Sequence, residues 1–299
     1  RQRLYPTPHY RLIYGESDGL PGLIVDRYGD VLVAQISTAG MDRLKPLVVE
    51  ALQQVLKPRG ILFRNDVAMR ETEGLPEVVE GVGTVPDTVE IDENGVRFLI
   101  SIRTGQKTGW FYDQRDNRDR LARYVKGRRV LDVFSYIGGW SLRAAHAGAS
   151  SVACVDSSAP ALEAAMANAK LNGFPLETIK GSALDVLKQL RDQQRQFDVV
   201  IVDPPALIKR KKDAEAGLEH YASLNRVAMQ LLSPDGILVS CSCSHHLEPE
   251  QLQRILLRES RTAGRRLQIM EQGGQGVDHP VQPAIPETRY LKSYFCRLV

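Results

Sequence analysis

Apolar positions fall into two regimes along the chain. In the first third, Gly22 to Val25 and Val31 to Ser37 read as strands around the turn signal Asp26-Arg27-Tyr28-Gly29-Asp30. Arg43 to Leu56 has apolar residues at Leu44, Leu47, Val48, Ala51, Leu52 and Val55, a helical period that Pro58-Arg59-Gly60 ends before a strand over Ile61 to Arg64. Residues 72–95 are rich in Gly, Pro and Glu, with Asn94-Gly95 as a hairpin turn, and a domain boundary is expected there. From there on, strands and helices alternate. Strands are expected over Arg129 to Phe134, Ser151 to Val155, Thr178 to Lys180, Asp198 to Val202 and Ile237 to Ser240. Helices are expected over Trp140 to Ala147, Ala159 to Leu171, Ala183 to Arg191, Tyr221 to Leu232 and Pro249 to Ala263, and Arg266 to Glu271 and Tyr290 to Arg297 add two last strands. Such alternation predicts an α/β fold with a mostly parallel, doubly wound sheet over residues 96–299, preceded by a small α/β domain over residues 1–95, and places ligands at the carboxyl ends of the strands.

Composition narrows the class without changing this picture. The 299 residues are 43% hydrophobic and 25% charged, which excludes a disordered or collagen-like chain. No apolar run reaches the roughly 18 residues of a membrane span. The first residues, Arg-Gln-Arg-Leu-Tyr-Pro, have no apolar core and no Met, so a secretory signal is not expected in them and an upstream segment is. Four cysteines, Cys154, Cys241, Cys243 and Cys296, read as reduced thiols of a cytoplasmic protein. The Cys-x-Cys pair is spaced too closely for a usual zinc site, so no metal is expected. A net charge of +3 permits a nucleic-acid partner without requiring one.

The turn after the first alternating strand runs Asp132-Val133-Phe134-Ser135-Tyr136-Ile137-Gly138-Gly139. It lacks the dinucleotide-binding glycine pattern, and its leading carboxylate would repel a pyrophosphate. An anion there suits an ammonium or sulfonium, and S-adenosylmethionine has both. Asp156, followed by Ser157, ends the second strand, where a carboxylate can accept two ribose hydroxyls. Gly181-Ser182-Ala183 ends the third and offers backbone and hydroxyl to adenine edges. Acids at strand ends by chance are the ordinary alternative; the ordered set favours a cofactor site.

Asp203-Pro204-Pro205 follows the fourth strand, a stiff turn whose carbonyls lack competing donors. Enzymes that methylate an exocyclic amine often place Tyr or Phe next; here it is Ala206, which weakens that chemistry. The fifth strand ends Ser240-Cys241-Ser242-Cys243-Ser244. A thiolate at this face can add to carbon 6 of cytosine while a carboxyl at Asp203 gives a proton to ring nitrogen 3, making carbon 5 nucleophilic. Alternation could point Cys241 and Cys243 the same way, so residue pattern leaves the choice between them open. A buried cysteine is usually an inert small hydrophobe, and that reading holds for Cys154 and Cys296.

Together these residues resemble the RlmI-type large-subunit ribosomal RNA (cytosine-5)-methyltransferases, a family with a Rossmann-like class I methyltransferase fold. The likeness covers most of the chain and is most specific at Thr104 to Arg115, Asp132 to Gly139, Asp203-Pro204-Pro205 and Ser242-Cys243-Ser244. It implies Cys243 as the nucleophile, and Gln106, Phe111 and Arg115 as contacts of the cofactor's methionine part. It also implies an N-terminal RNA-binding PUA barrel, which these residues do not contain.

Two basic segments bear on an RNA partner. Arg118, Arg120, Arg123, Lys126, Arg128 and Arg129 precede the first alternating strand; Lys209-Arg210-Lys211-Lys212 follows directly on the Asp-Pro-Pro turn. The second, beside the chemistry, is the better phosphate contact, with Lys209, Arg210, Pro204 and Pro205 as substrate-side residues. The target base would have to be unpaired or flipped out, with Trp110 or Phe111 able to stack on it. The expected function is therefore S-adenosylmethionine-dependent methylation of cytosine carbon 5 in large-subunit rRNA. The rivals are methylation of a base nitrogen such as guanine N7, with Cys243 idle, and a non-catalytic RNA-binding module. A homodimer is left open.

Overall fold

The computed structural model describes residues 1–299 and divides into two compact units. Unit 1 comprises Arg1–Arg115 and Gly276–Thr288; unit 2 comprises Asp116–Gln275 and Arg289–Val299. The Asn94-Gly95 turn lies inside unit 1.

Unit 1 holds β1 (His9–Tyr14), β2 (Leu23–Tyr28), β3 (Val31–Ile36), α1 (Ala39–Arg43), α2 (Lys45–Leu56), β4 (Gly60–Asn65), α3 (Met69–Thr72), β5 (Val78–Gly83), β6 (Thr88–Glu93) and β7 (Val96–Ser101). β1 to β5 form one sheet in sequence order, and β6–β7 is a hairpin closed at Asn94-Gly95. Leu23, Val25, Leu32, Ala34, Ile36, Ile61 and Phe63 pack with Met41 and Leu52 of the two helices. Two strands here escape a reading by apolar pattern. β1 contains Arg11, whose guanidinium is buried against the Asp26 carboxylate, with both bonds at 2.8 Å. β5 carries two glycines and a glutamate as an edge strand along β4.

Unit 2 begins at Asp116, within α4 (Arg115–Leu121), and continues β8 (Arg129–Val133), α5 (Gly139–His146), β9 (Ser151–Asp156), α6 (Ala159–Asn172), β10 (Glu177–Lys180), α7 (Ala183–Asp192), β11 (Phe197–Val202), α8 (Ala214–Gln230), β12 (Leu232–Ser242), α9 (Pro249–Thr262), β13 (Leu267–Gly273) and β14 (Lys292–Leu298). The sheet order is β10-β9-β8-β11-β12-β14-β13. The first five in that row are parallel, and β14 is antiparallel to both of its neighbours. This is the expected doubly wound, Rossmann-like sheet. Strand order reverses between β8 and β11, where the loops after both strands leave a crevice open.

Both faces of this sheet are covered, which is why its strands read as continuous apolar runs. Leu131, Val133, Val200, Val202 and Leu238 pack on one side with α7, α8 and α9. Val130, Val199, Ile201 and Val239 pack on the other with Trp140 and Leu121. One helix is longer than its apolar pattern: α8 starts at Ala214 rather than Tyr221. The hidden turns carry Gly217, where an added Cβ would lie 2.4 Å from Ile208 Cγ1 and 3.0 Å from the Leu207 carbonyl oxygen. A residue poor in helix propensity is there because the chain passes that close. Ser233-Pro234-Asp235-Gly236 is the irregular start of β12, which therefore begins before Ile237, with a register shift against β11.

Candidate functional site

The crevice at the switch point has two sides. On the β8–β9–β10 side the loop after β8 is held in a strained form. Phe134 (φ 69°) and Tyr136 (φ 51°) both adopt the left-handed region that side chains avoid. The amides of Phe134 and Ser135 donate to the Val155 carbonyl at 2.9 and 3.0 Å. The Tyr136 amide donates to one oxygen of Asp156 at 2.9 Å and the Ser158 amide to the other at 2.9 Å. Gly138 (φ 87°) leads into α5, and a Cβ there would meet Leu142 Cδ1 at 2.5 Å.

Asp132 is fully buried beneath this loop. Its Oδ2 accepts from the Ser141 amide at 3.0 Å and hydroxyl at 2.6 Å, in the first turn of α5. Its Oδ1 and the Ser135 hydroxyl are buried without a partner. Burial pushes the Asp132 carboxyl up to about 7, and the carboxylates of Asp203 and Asp156 push it the same way. Three neighbouring acids, one of them buried with an orphaned oxygen, are incomplete by themselves; a cation would complete them. Ser182, exposed at the start of α7, makes no capping bond with its hydroxyl, and Ala183 beside it is buried. The Gly181 amide donates to the Asp156 carbonyl at 3.1 Å. Ser157 is exposed.

On the β11–β12 side, Asp203 accepts from the Trp140 indole at 2.9 Å. Cys243 is half-buried, with its Sγ 3.9 Å from the Pro204 carbonyl oxygen. Cys241 behaves differently: it is fully buried, with its thiol 3.3 Å from the Ser293 hydroxyl. The two do not share a direction because β12 ends at Ser242, so the alternation that governs a strand stops before Cys243. Cys154 and Cys296 are buried, and burial pushes both thiols up to about 12, where they stay protonated at neutral pH.

Side chains distant in sequence hold the Ser242-Cys243-Ser244 turn. The Tyr221 hydroxyl lies 2.9 Å from both serine hydroxyls. Ser244 Oγ accepts from the Ile208 amide at 3.1 Å, and Lys292 Nζ donates to the Ser244 carbonyl at 2.6 Å. Trp140, Ser141, Tyr221 and Lys292 were not legible as site residues. Only Trp140 and Ser141 carried a signal, by following the loop that was.

A protein-family model described as S-adenosylmethionine-dependent methyltransferase matches residues 74–286. The chain belongs to this family. S-adenosylmethionine is its methyl donor, and the unpartnered Asp132 oxygen, Asp156, Ser135 and Ser182 fit a ligand with a cationic end and a ribose. Relatives named "Ribosomal RNA large subunit methyltransferase I" include one from Cronobacter sakazakii, 40% identical over 97% of this chain and 74% of its own length. Another, from Photobacterium profundum, is 42% identical over 96% of this chain and 74% of its own. Among solved structures, a putative SAM-dependent methyltransferase from Streptococcus mutans superposes with a TM-score of 0.85 at 22% identity, over 97% of this chain and 75% of that one. Trm5b from Pyrococcus abyssi superposes at 0.66 with 14% identity, over 92% of this chain and 74% of that one. The structural likeness is one of methyltransferase fold.

Within unit 2 the two basic segments differ. Arg118 is buried, and Arg120 and Arg123 reach Glu271 at 3.7 and 3.1 Å. Arg129 clamps Asp198 at 2.9 Å and holds that carboxyl well below the usual range. Arg129 and Asp198 sit at the amino ends of β8 and β11, the edge of the sheet away from the crevice. The Arg129 end of this segment thus lies at the edge away from the crevice, and Arg120, Arg123 and Arg129 are already paired with acids, which favours the second segment as the RNA contact. Lys209, Lys211 and Lys212 are exposed without ion pairs, and Arg210 pairs only with Asp213 at 2.8 Å.

The Thr104 to Arg115 signature is anchored by unit 1. Thr108 donates to Asp26 at 2.5 Å, Trp110 to Glu93 at 2.9 Å, and Tyr112 to the Arg27 carbonyl at 3.0 Å. Trp110 is buried against Phe98, so it is a core residue and not a stacking platform for a base. The Arg115 guanidinium is buried, lies 3.4 Å from Glu93, bonds the His9 carbonyl, and sits over the Tyr5 ring at 4.4 Å. Phe111 is half-buried under the Lys107 ammonium at 4.5 Å, and Gln106 is exposed. No helix is long and apolar enough to cross a membrane.

Proposed function

We propose that this chain methylates carbon 5 of a cytosine in large-subunit ribosomal RNA, through a covalent bond from Cys243 to carbon 6. The observation that carries the reading is the placement of Cys243 Sγ, 3.9 Å from the Pro204 carbonyl, while the other three thiols are buried. A half-exposed sulfur at the carboxyl edge, beside a carboxyl held by Trp140, is what addition to an electron-poor ring requires. The name shared by the 40%-identical relatives supports ribosomal RNA as the substrate.

The steps follow from these groups. The Cys243 thiolate bonds to carbon 6 while Asp203 gives a proton to ring nitrogen 3, so the ring electrons collect on carbon 5. Bound S-adenosylmethionine supplies an electrophilic methyl group there. A base then takes the carbon-5 proton, ring nitrogen 3 returns its proton to the Asp203 carboxylate, and the re-formed 5,6 double bond expels the Cys243 sulfur as thiolate. Pro204 and Pro205 fix the turn against which the base would lie, and Lys209 and Arg210 would meet flanking phosphates. Asp132 and Asp156, with Phe134, Ser135, Tyr136, Gly138, Ser157, Ser182 and Ala183 around them, would hold the donor.

Incubating unmodified rRNA with labelled donor tests this reading. The Cys243→Ala variant is expected to lose transfer by at least about 1000-fold, with the wild-type product mapped to cytosine carbon 5 by mass spectrometry. Retained transfer, or a methyl group on a ring nitrogen, would reject it.

A further inference from the structure

Lys292 has no task in the steps above, yet its setting is unusual. It opens β14 and pairs with Ser242 across the antiparallel ladder, next to Cys243. It is only 8% exposed. Its Nζ makes one hydrogen bond, to the Ser244 carbonyl at 2.6 Å, and no ion pair with a carboxylate. An ammonium has three N–H groups and is costly to bury without an anion. Burial pulls Lys292 down to about 8, and among the charges around it Cys243 first, then Glu248, favour its charged form, while Arg289 opposes it. The other titratable groups around this turn are the Tyr221 hydroxyl, which burial keeps neutral, the His245 ring packed on Tyr290, and Asp203, one residue before the Pro204 whose carbonyl Cys243 approaches. The anion best placed to balance a buried ammonium is the thiolate of Cys243.

We propose that Lys292 is a positioning residue that supplies a positive charge beside Cys243, favouring its sulfur as thiolate and holding its turn in place for attack. This deepens the reading of Cys243 as the nucleophile and rests on it for its catalytic meaning. The pair titrates as one system. With the ammonium present the thiol loses its proton more readily; replacing the ammonium by a neutral group raises the thiol toward its ordinary value of about 8.5 or above.

The test is the rate at which iodoacetamide alkylates Cys243 as a function of pH, read by peptide mass spectrometry on the full chain without RNA or donor. The buried setting of the other three thiols makes Cys243 the reactive one. Wild type is expected to titrate below about 8.5. Lys292→Gln is expected to shift upward by about one unit, with alkylation roughly tenfold slower at neutral pH, and Lys292→Arg to restore most of the rate. A merely structural lysine would leave these profiles superimposed, and that result would overturn the proposal. If Lys292→Gln fails to fold, the wild-type profile decides, and a titration at or above the ordinary thiol value overturns it. Transfer by Cys243→Ala is scored separately: retained transfer there breaks the nucleophile reading, whereas the alkylation profiles judge the lysine alone.

Discussion

The two sides of the crevice at the β8–β11 switch point are built by different means. On the β8 side the backbone does most of the shaping: consecutive amides bond to the Val155 carbonyl and Asp156, and two aromatic residues are held at positive φ. Carboxylates there crowd one another and leave an oxygen orphaned. On the β12 side, past the strand's last residue, a short turn is fixed by the side chains of Tyr221 and Lys292 and by the backbone amide of Ile208. The first side is a charged cradle that a cationic ligand would complete. The second holds in place the one thiol that is not fully buried. Binding and chemistry can therefore be damaged separately, and each side has its own way of failing.

The largest separation is expected at Asp132. Asp132→Asn keeps the shape and removes the anion, and should weaken donor binding roughly 30- to 100-fold by calorimetry, leaving Cys243 alkylation unchanged. The wild-type pH dependence has a definite sign. A carboxyl raised to about 7 in the folded state stabilises the unliganded protein fully below its unfolded value of 3.8, and that contribution is lost as pH rises through about 7. Donor affinity should move the opposite way, rising as pH passes through about 7, because the cation needs the ionised form. Asp132→Asn should flatten both trends; a variant that keeps the wild-type pH profile would remove Asp132 from the donor site.

A smaller effect is expected at Gly138. A Cβ there meets Leu142 Cδ1 at 2.5 Å in a φ 87° conformation, so Gly138→Ala should cost about 2 kcal/mol in denaturant unfolding and loosen donor binding more than thiol reactivity. Unchanged stability would mean that the loop relaxes freely and that its strain is not what shapes the cradle. The smallest effect is expected on RNA affinity. Replacing Lys209, Lys211 and Lys212 by Ala should reduce binding roughly tenfold at moderate salt, and lower the salt slope by about 0.7 to 0.9 per lysine. Arg120→Ala with Arg123→Ala should leave that slope unchanged, since both arginines reach Glu271. Equal slopes for the two sets would erase the distinction between the basic segments.

The same contrast explains what the chain disclosed before folding. The β8 side was legible because its determinants are contiguous: Asp132 to Gly139 is one strand-to-helix turn, and Asp156 and Ser182 end the next strands in order. The parallel strands were legible because burial on both faces leaves continuous apolar runs. The β12 side was legible only as residue types. Cys241 and Cys243 looked equivalent, and what separates them is that β12 ends between them, a fact of pairing with β14 that no local pattern encodes. Tyr221 and Lys292 were invisible for the same reason, as ordinary residues of a helix and a strand brought to the turn by tertiary packing. The cluster of arginines from 118 to 129 shows the reverse limit, because a charge count does not reveal that Arg120, Arg123 and Arg129 have acidic partners or which edge of a sheet Arg129 occupies.

The most direct test is to trap the bond itself. Rebuilding the rRNA target with 5-fluorocytosine blocks loss of the group at carbon 5, so the sulfur cannot be expelled after methyl transfer. The account predicts a denaturation-resistant protein–RNA adduct whose attached peptide carries Cys243, formed by wild type and Cys241→Ala alike and absent from Cys243→Ala. Methyl transfer without any such adduct, or an adduct on another residue, would contradict it.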